Sequence, residues 1–382
     1  EIVLSSASGY LNILDIPTYA WYLTMWAYRL RGEEVPAEVL SHNTPGEIHF
    51  DFSLPGSTHG IYTSDPCATR LQHKDGGLEV MWNRIIRGQQ FNIYYKPFYR
   101  REEFSDERYM PVFSPTAYPG QRATFTFRWE RWNGESVCVK PHVRDAISGE
   151  MQLLDAYVLS EEGEQTYTFT LPQVESGLIS EIGFMVEGNS PRKTYDAGRF
   201  IITSFDVQGK ATYTIPMAKM PKEWNCVVPF SHNHGAWNVE EGMLYALAID
   251  HSEAMTGNYF TKNVRVSAQV KPLNGESHML SARVQGTMRG YYAGLHGKDA
   301  VAILCNLHGK LETLATAPYA WQIDSLYALS FEAKGDTLRL LVDGKEAVSA
   351  TDAELRYGMI GFAQQGMGRT HFGDLSVEEI EA

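Results

Sequence analysis

The sequence predicts an all-β chain: two tandem antiparallel β-sandwiches preceded by one N-terminal α-helix. Three observations carry this reading. Val264, Val266, Ala268 and Val270 alternate with Arg265, Ser267, Gln269 and Lys271, the period of two that gives a strand one dry and one wet face. The same rhythm returns at 280–285, 327–332 and 338–342, after which Asp343-Gly344 supplies the φ > 0 residues of a tight hairpin turn before 346–349. The chain has 382 residues, too many for one ordinary sandwich and suited to two.

Composition bounds the function classes. Apolar residues make up 43%, enough for real cores, and aromatics 12%. The net charge of −13 argues against nucleic-acid binding, which needs a basic face to replace phosphate counterions. No segment approaches the roughly 20 uninterrupted apolar residues of a membrane-spanning helix, so no membrane partner is expected. The 4 cysteines, Cys67, Cys138, Cys226 and Cys305, lie far apart without a CxxC pair. They read as buried thiols, with one long-range disulfide as the alternative. The chain opens with Glu1-Ile2-Val3, with neither an initiator Met nor a signal segment, and reads as a piece of something longer. Its start does not reveal a compartment; a secreted or periplasmic location is the expectation.

In chain order, residues 1–44 form a helical lead-in and linker. Asp15 stands near the N-cap, Pro17 suits the first turn, Arg29 and Arg31 the last, and Gly32 the C-cap, so a helix is expected over 17–31. Trp21, Leu23, Met25, Trp26, Ala27, Tyr28 and Leu30 spread around most of its circumference, which calls for partners on several sides. The helix either docks on the sandwiches or ends a helical domain that lies upstream. Residues 45–213 form the first sandwich, with strands expected near 48–54, 76–82, 90–95, 124–129, 137–143, 166–171, 182–186 and 200–207. The stretch 208–221, with Gly209, Pro216 and Pro221, marks the boundary, and 214–382 form the second sandwich.

The second half carries a resemblance. Ser281-Ala282-Arg283-Val284, Gly290-Tyr291-Tyr292-Ala293-Gly294-Leu295, Leu341-Val342-Asp343-Gly344-Lys345, Gly358-Met359-Ile360-Gly361-Phe362 and His371-Phe372-Gly373-Asp374-Leu375-Ser376-Val377 together resemble the concanavalin A-like lectin/glucanase (laminin-G-like) jelly roll. Ser180-Glu181-Ile182-Gly183-Phe184 and Gly198-Arg199-Phe200-Ile201-Ile202 resemble the end of galactose-binding-like carbohydrate-binding modules. The helix and the domain pair resemble C-terminal extensions of bacterial ADP-ribosylglycohydrolase-family proteins, whose catalytic acidic motifs this chain lacks. Together these imply a glycan-binding or structural accessory region, with a catalytic domain of the same parent chain upstream. Galactose-binding-like modules often hold a structural calcium through an acid of the last strand. Thr203 and Ser204 stand at that place and Asp206 follows later, so no cofactor is expected.

Candidate chemistry divides into acids, histidines and aromatics. Glycoside hydrolysis needs two carboxylates about 5–10 Å apart. Glu102-Glu103-Phe104-Ser105-Asp106-Glu107 has acids at the wrong spacing, and the adjacent Glu240-Glu241 would face opposite sides of a strand. No catalytic residue is therefore assigned, although a glycosidase with a carboxylate pair in the second sandwich remains the rival reading. His232-Asn233-His234 reads as a polar loop, since zinc wants further ligands. Sugars stack C–H faces on aromatic rings beside a few placed polar groups. On that ground the candidate glycan-facing residues are Trp129, Trp132, Trp237, Arg283, Tyr291, Tyr292 and Trp321, each of which would serve equally as a core or edge aromatic or, for Arg283, as a wet-face strand residue. A third reading is a pair of purely structural or protein-interaction sandwiches.

Overall fold

The computed structural model describes residues 27–28, 30–34, 48–53, 61–65, 69–98, 115–191, 194–223, 226–233, 235–286, 288–307 and 309–381. They form antiparallel sheets in two compact units. Unit 1 comprises Glu1–Pro97, Gln121–Pro172 and Ile179–Gly209, and unit 2 comprises Phe98–Gly120, Gln173–Leu178 and Lys210–Ala382.

Unit 1 holds two 6-stranded sheets. The first runs Gly163–Thr170, Arg122–Asn133, Asp196–Gln208, Gly77–Ile85, Thr69–Lys74, with Ile48–Asp51 also on Asp196–Gln208. The second runs Ile61–Thr63, Gln90–Tyr95, Ile179–Gly188, Val137–Asp145, Met151–Leu153, with Tyr157–Leu159 also on Val137–Asp145. Alternation sorts each strand: Ala123, Phe125, Phe127 and Trp129 point inward from Arg122–Asn133 and are buried. Rings close the space between the sheets, with Phe125 4.7 Å from Phe184, Trp82 5.5 Å from Phe91 and Phe50 5.5 Å from Tyr95. Burying one such side chain contributes roughly 1.5–3 kcal/mol.

Unit 2 holds a 9-stranded and a 7-stranded sheet. The larger runs Ala236–Glu240, Met243–Ala248, Gly368–Phe372, Val264–Asn274, Tyr327–Lys334, Thr337–Val342, Lys345–Thr351; Leu375–Glu379 also lies on Val264–Asn274 and carries Thr212–Ile215. The smaller runs Ser231–Asn233, Ser252–Thr256, Met359–Gln365, Ser277–Gly286, Arg289–His296, Ala300–Leu307, Lys310–Pro318. Phe362 of the smaller sheet stacks on Phe372 of the larger at 4.5 Å, which fixes the inner face of both. Asp343 (φ 50) and Gly344 (φ 77) form the hairpin turn between Thr337–Val342 and Lys345–Thr351.

The units part at Gly209–Lys210, ahead of the expected 213/214. The reason is pairing: Thr212–Ile215 runs from Thr212↔Glu378 to Ile215↔Leu375 and belongs to the second sandwich. Two segments from within the expected first sandwich also join unit 2. Tyr118 stacks on Tyr213 at 4.6 Å, and Gln173 Nε2 donates to the Thr212 carbonyl at 2.7 Å.

The helix expected over 17–31 is not seen as an element, because most of it lies outside the described residues. Ala27, Tyr28 and Leu30 are helical, the Glu33 N–H bonds to the Tyr28 carbonyl at 3.0 Å, and Gly32 has φ +70. That geometry closes a helix C-terminus through a left-handed glycine. The acidic run 102–107 and His234 also lie outside the described residues. No described helix is long and apolar enough to cross a membrane. Cys138 and Cys305 are free thiols, and Cys67 is outside the described residues. Asp206, near the calcium position of the resemblance, pairs with His49. Among the described residues no group of three or more His, Cys, Asp or Glu is placed to hold a metal.

His142 is completely buried, and neither ring nitrogen has a hydrogen-bond partner among the described residues. Burial, with Arg144 adding repulsion, pushes its pKa down to about 4. The Glu181 carboxylate lies 3.9 Å from Nε2 but is held by Arg144 Nε at 2.8 Å, so it offsets little of the burial. The folded pKa lies below the unfolded value of about 6.5. The unfolded chain therefore takes up a proton before the folded chain does. Stability is full above pH ~6.5 and falls as pH drops toward 4, by on the order of 3 kcal/mol for this group. Calorimetry at a series of pH values should show the melting temperature falling across that window, with a shallower fall in His142→Leu.

Candidate functional site

The second unit carries an open groove of about 300 Å³ on the outer face of its larger sheet, lined by Gln173, Thr212, Thr214, Arg265, Ser267, Ser376 and Glu378 among others. That is the lower end of the size range of small-ligand sites. Alternation and register together build it. The dry residues Val264, Val266, Tyr213 and Val377 are buried, so the residues between them face out.

Two rows result. Thr214↔Ser376, Ser376↔Ser267 and Ser267↔Ser330 are direct cross-strand partners, which sets hydroxyls side by side on four adjacent strands. The Thr214 and Ser376 hydroxyls are 3.0 Å apart, and those of Ser267 and Ser330 2.8 Å apart. At an interstrand spacing of about 4.8 Å the row spans roughly 14 Å. Two residues along each strand lies a row of alternating charge: Glu378↔Arg265, Arg265↔Glu332 and Glu332↔Arg339. Arg265 forks between the carboxylates, Nε donating to Glu332 at 2.7 Å and Nη1 to Glu378 at 2.7 Å. Hydrogen bonding to Glu332, with Glu378 adding, pushes its pKa up. The groove thus offers hydroxyls, carboxylates and a fixed guanidinium with charges locally balanced.

The sequence-predicted aromatics lie elsewhere. Trp129 belongs to the unit 1 core, because its strand position shares the inward parity of Phe125 and Phe127. Trp132 is half exposed and lies in the Arg122–Asn133 strand. Trp237 is buried and donates from Nε1 to Ser252 Oγ at 3.0 Å. Arg283, expected on a wet face, is buried with φ 51, and donates from Nε to the Lys262 carbonyl at 2.8 Å and from Nη1 to the Leu355 carbonyl at 2.9 Å. Tyr291 is buried; its hydroxyl donates to Asp352 and accepts the Leu355 N–H at 2.9 Å, so Tyr291 and Arg283 clamp one loop residue from both sides. Trp321 is partly buried, 5.4 Å from the His278 ring. Trp129, Trp237, Arg283, Tyr291 and Tyr292, expected to face a glycan, are thus all buried.

Tyr292 lies on the face of the smaller sheet turned away from the larger. It packs with Met279, Ala302, Leu304 and Ala363, and its hydroxyl donates to Glu253. Glu253 also accepts the Met288 N–H at 3.1 Å and lies 2.8 Å from His251 Nε2. Burial pushes this carboxyl up, but His251, Tyr292 and the Met288 amide together hold it below the usual carboxylate range. Glu253 is the carboxylate that the described strands place on this face. Glu312 pairs with Cys305 and has the opposite parity. The described strands therefore set no second carboxylate beside Glu253 on this face, whereas a glycosidase needs a pair.

No family model and no curated protein matches the chain. Among solved structures, similar ones include a carbohydrate-binding module from Bacillus subtilis (17% identity, TM-score 0.37, covering 39% of this chain and 94% of that one). A protein with a galectin-like fold from Bacillus subtilis (12%, 0.36, 44% and 94%) and a galectin from Caenorhabditis elegans (13%, 0.27, 38% and 94%) are also similar. Likeness at this level does not say which residues of this chain meet a ligand. The wet residues Arg265 and Ser267 were visible in the sequence as half of an alternating strand. Their neighbours Thr214, Ser376 and Glu378 were not, because cross-strand register is a property of the folded sheet.

Removing the buried Trp129 ring should lower unfolding free energy by about 3–5 kcal/mol, and Trp132→Ala by less than about 0.5 kcal/mol, as read by urea denaturation.

Proposed function

We propose that the chain is a non-catalytic, glycan-binding accessory region, and that the second unit binds its ligand in the groove around Arg265. The observation that carries this is the in-register hydroxyl row beside a row of balanced charge. Sugar hydroxyls both donate and accept, and a face presenting hydroxyls, carboxylates and an anchored guanidinium meets them on both counts. Alternating charge suits a neutral glycan better than a polyanion. The resemblance of the helix and domain pair to extensions of ADP-ribosylglycohydrolases supports a reading in which the catalytic partner is an upstream hydrolase domain of the same parent chain.

A second reading is favoured by one observation: the groove's described outward-facing residues include no aromatic platform on which a sugar ring could stack. On that reading the face is a structural or protein-interaction surface. A glycan array probed with the full chain distinguishes the two, since specific binding supports the first and a silent array the second. Charged hydrogen bonds are worth about 1.5–3 kcal/mol, so Arg265→Ala should weaken any such binding roughly tenfold or more while leaving the circular-dichroism spectrum unchanged. Undiminished binding in Arg265→Ala would remove the groove from consideration. Incubation of the chain with the bound glycan should release no new reducing ends; sustained release abolished by Glu253→Gln would restore the glycosidase reading.

A further inference from the structure

A sandwich interior is expected to be apolar. In the second unit the row Ala254↔Phe362 and Phe362↔Leu280 obeys this. The next inward-facing row toward the sheet end does not: Ser252↔Gln364 and Gln364↔His278 are direct partners, and all three residues are fully buried. Thr370, inward-facing from the opposite sheet and also fully buried, joins them. Its hydroxyl is 2.6 Å from His278 Nδ1 and 2.7 Å from Gln364 Oε1. Trp321 lies against the His278 ring, edge to face.

Hydrogen-bond counting shows what this row lacks. The Thr370 hydroxyl has one proton and gives it to Gln364 Oε1, so it accepts from His278 Nδ1–H. His278 Nε2 is then a bare acceptor, in keeping with a ring that burial holds neutral. His278 Nε2, Gln364 Nε2 and Trp321 Nε1 are all buried without a hydrogen-bond partner among the described residues. That leaves one acceptor and two donor groups. Reversing the Gln364 amide exchanges the roles of His278 and Gln364 and leaves the same complement. Buried polar groups without a partner are expensive, at about 1–3 kcal/mol each.

We propose that His278, Gln364 and Trp321 form a hydroxyl-binding site at this end of the second sandwich. A hydroxyl oxygen donates one hydrogen bond and accepts two, the complement of one acceptor and two donors. Both a solvent water and the hydroxyl of a small polyol supply this chemistry. An anion would lack the proton for the acceptor, and an ammonium would face two donors. The site is separate from the groove and does not depend on it.

High-resolution crystals of the full chain, grown without polyol, should show one oxygen within hydrogen-bond distance of all three groups. ¹⁵N NMR should show His278 neutral near pH 7, with a Trp321 indole N–H that exchanges slowly. Glycerol titration followed on that indole separates the sources. A saturating shift that is lost in Gln364→Met assigns a polyol hydroxyl, and no shift assigns an internal water. Trp321→Phe, in the loop, provides a second variant should Gln364→Met fold poorly; followed on the His278 ring ¹⁵N resonances, it should likewise abolish any glycerol response seen there in the unaltered chain. Density showing the three groups dry or bonded to other protein atoms, or an indole exchanging as fast as a free one, would overturn the proposal.

Discussion

The second unit depends on the closure of its two sheets by Phe362 against Phe372. That contact decides which parity of each strand is inside. Once it is set, alternation carries the decision across every neighbouring strand, because cross-strand partners share a face. The hydroxyl and charge rows are outside for the same reason that Val264, Val266 and Val377 are inside. A one-residue slip of Val264–Asn274 would bury Arg265 and expose its valines, so the groove and the core are specified together.

The two units use the same electrostatic device. In the first, Arg199 faces outward between Glu79 and Glu130, with Nη1 2.6 Å from Glu79 and Nη2 2.7 Å from Glu130. In the second, Arg265 lies between Glu332 and Glu378. A guanidinium fork spans neighbouring strands more readily than an ammonium does, and the paired carboxylates neutralise it. The difference lies in the surroundings. Glu79 is buried beneath Arg199, so that cluster pins the sheet face. The Arg265 cluster borders a groove with Ser267 and Ser376. Geometry of the same kind is buried into the sheet face in one unit and borders an open groove in the other.

The buried acid Glu253 illustrates how a single perturbed carboxylate differs from a catalytic pair. It is held by His251, Tyr292 and the Met288 amide on a face otherwise lined by Met279, Leu304 and alanines. Such a network orders the sheet face, and hydrolysis of a glycosidic bond needs a second carboxyl across the substrate.

The fold class was legible in the sequence because alternation is local: 264–271, 327–332 and 338–342 all fall within observed strands, and Asp343-Gly344 turns between two strands. Charge and composition were equally local properties. The aromatic candidates show where local reading ends. Trp129 and Trp132 stand three residues apart on one strand; one is core and the other half exposed. Arg283 looked like a wet-face residue and is buried, since a left-handed backbone turns it onto two carbonyls. Thr212–Ile215 falls in the second unit because it pairs with a strand more than 160 residues later in the chain. Strand identity follows from the spacing of side chains along the chain. Register, the partner of each strand and the rows that register creates depend on contacts between distant segments, and only the tertiary structure sets those.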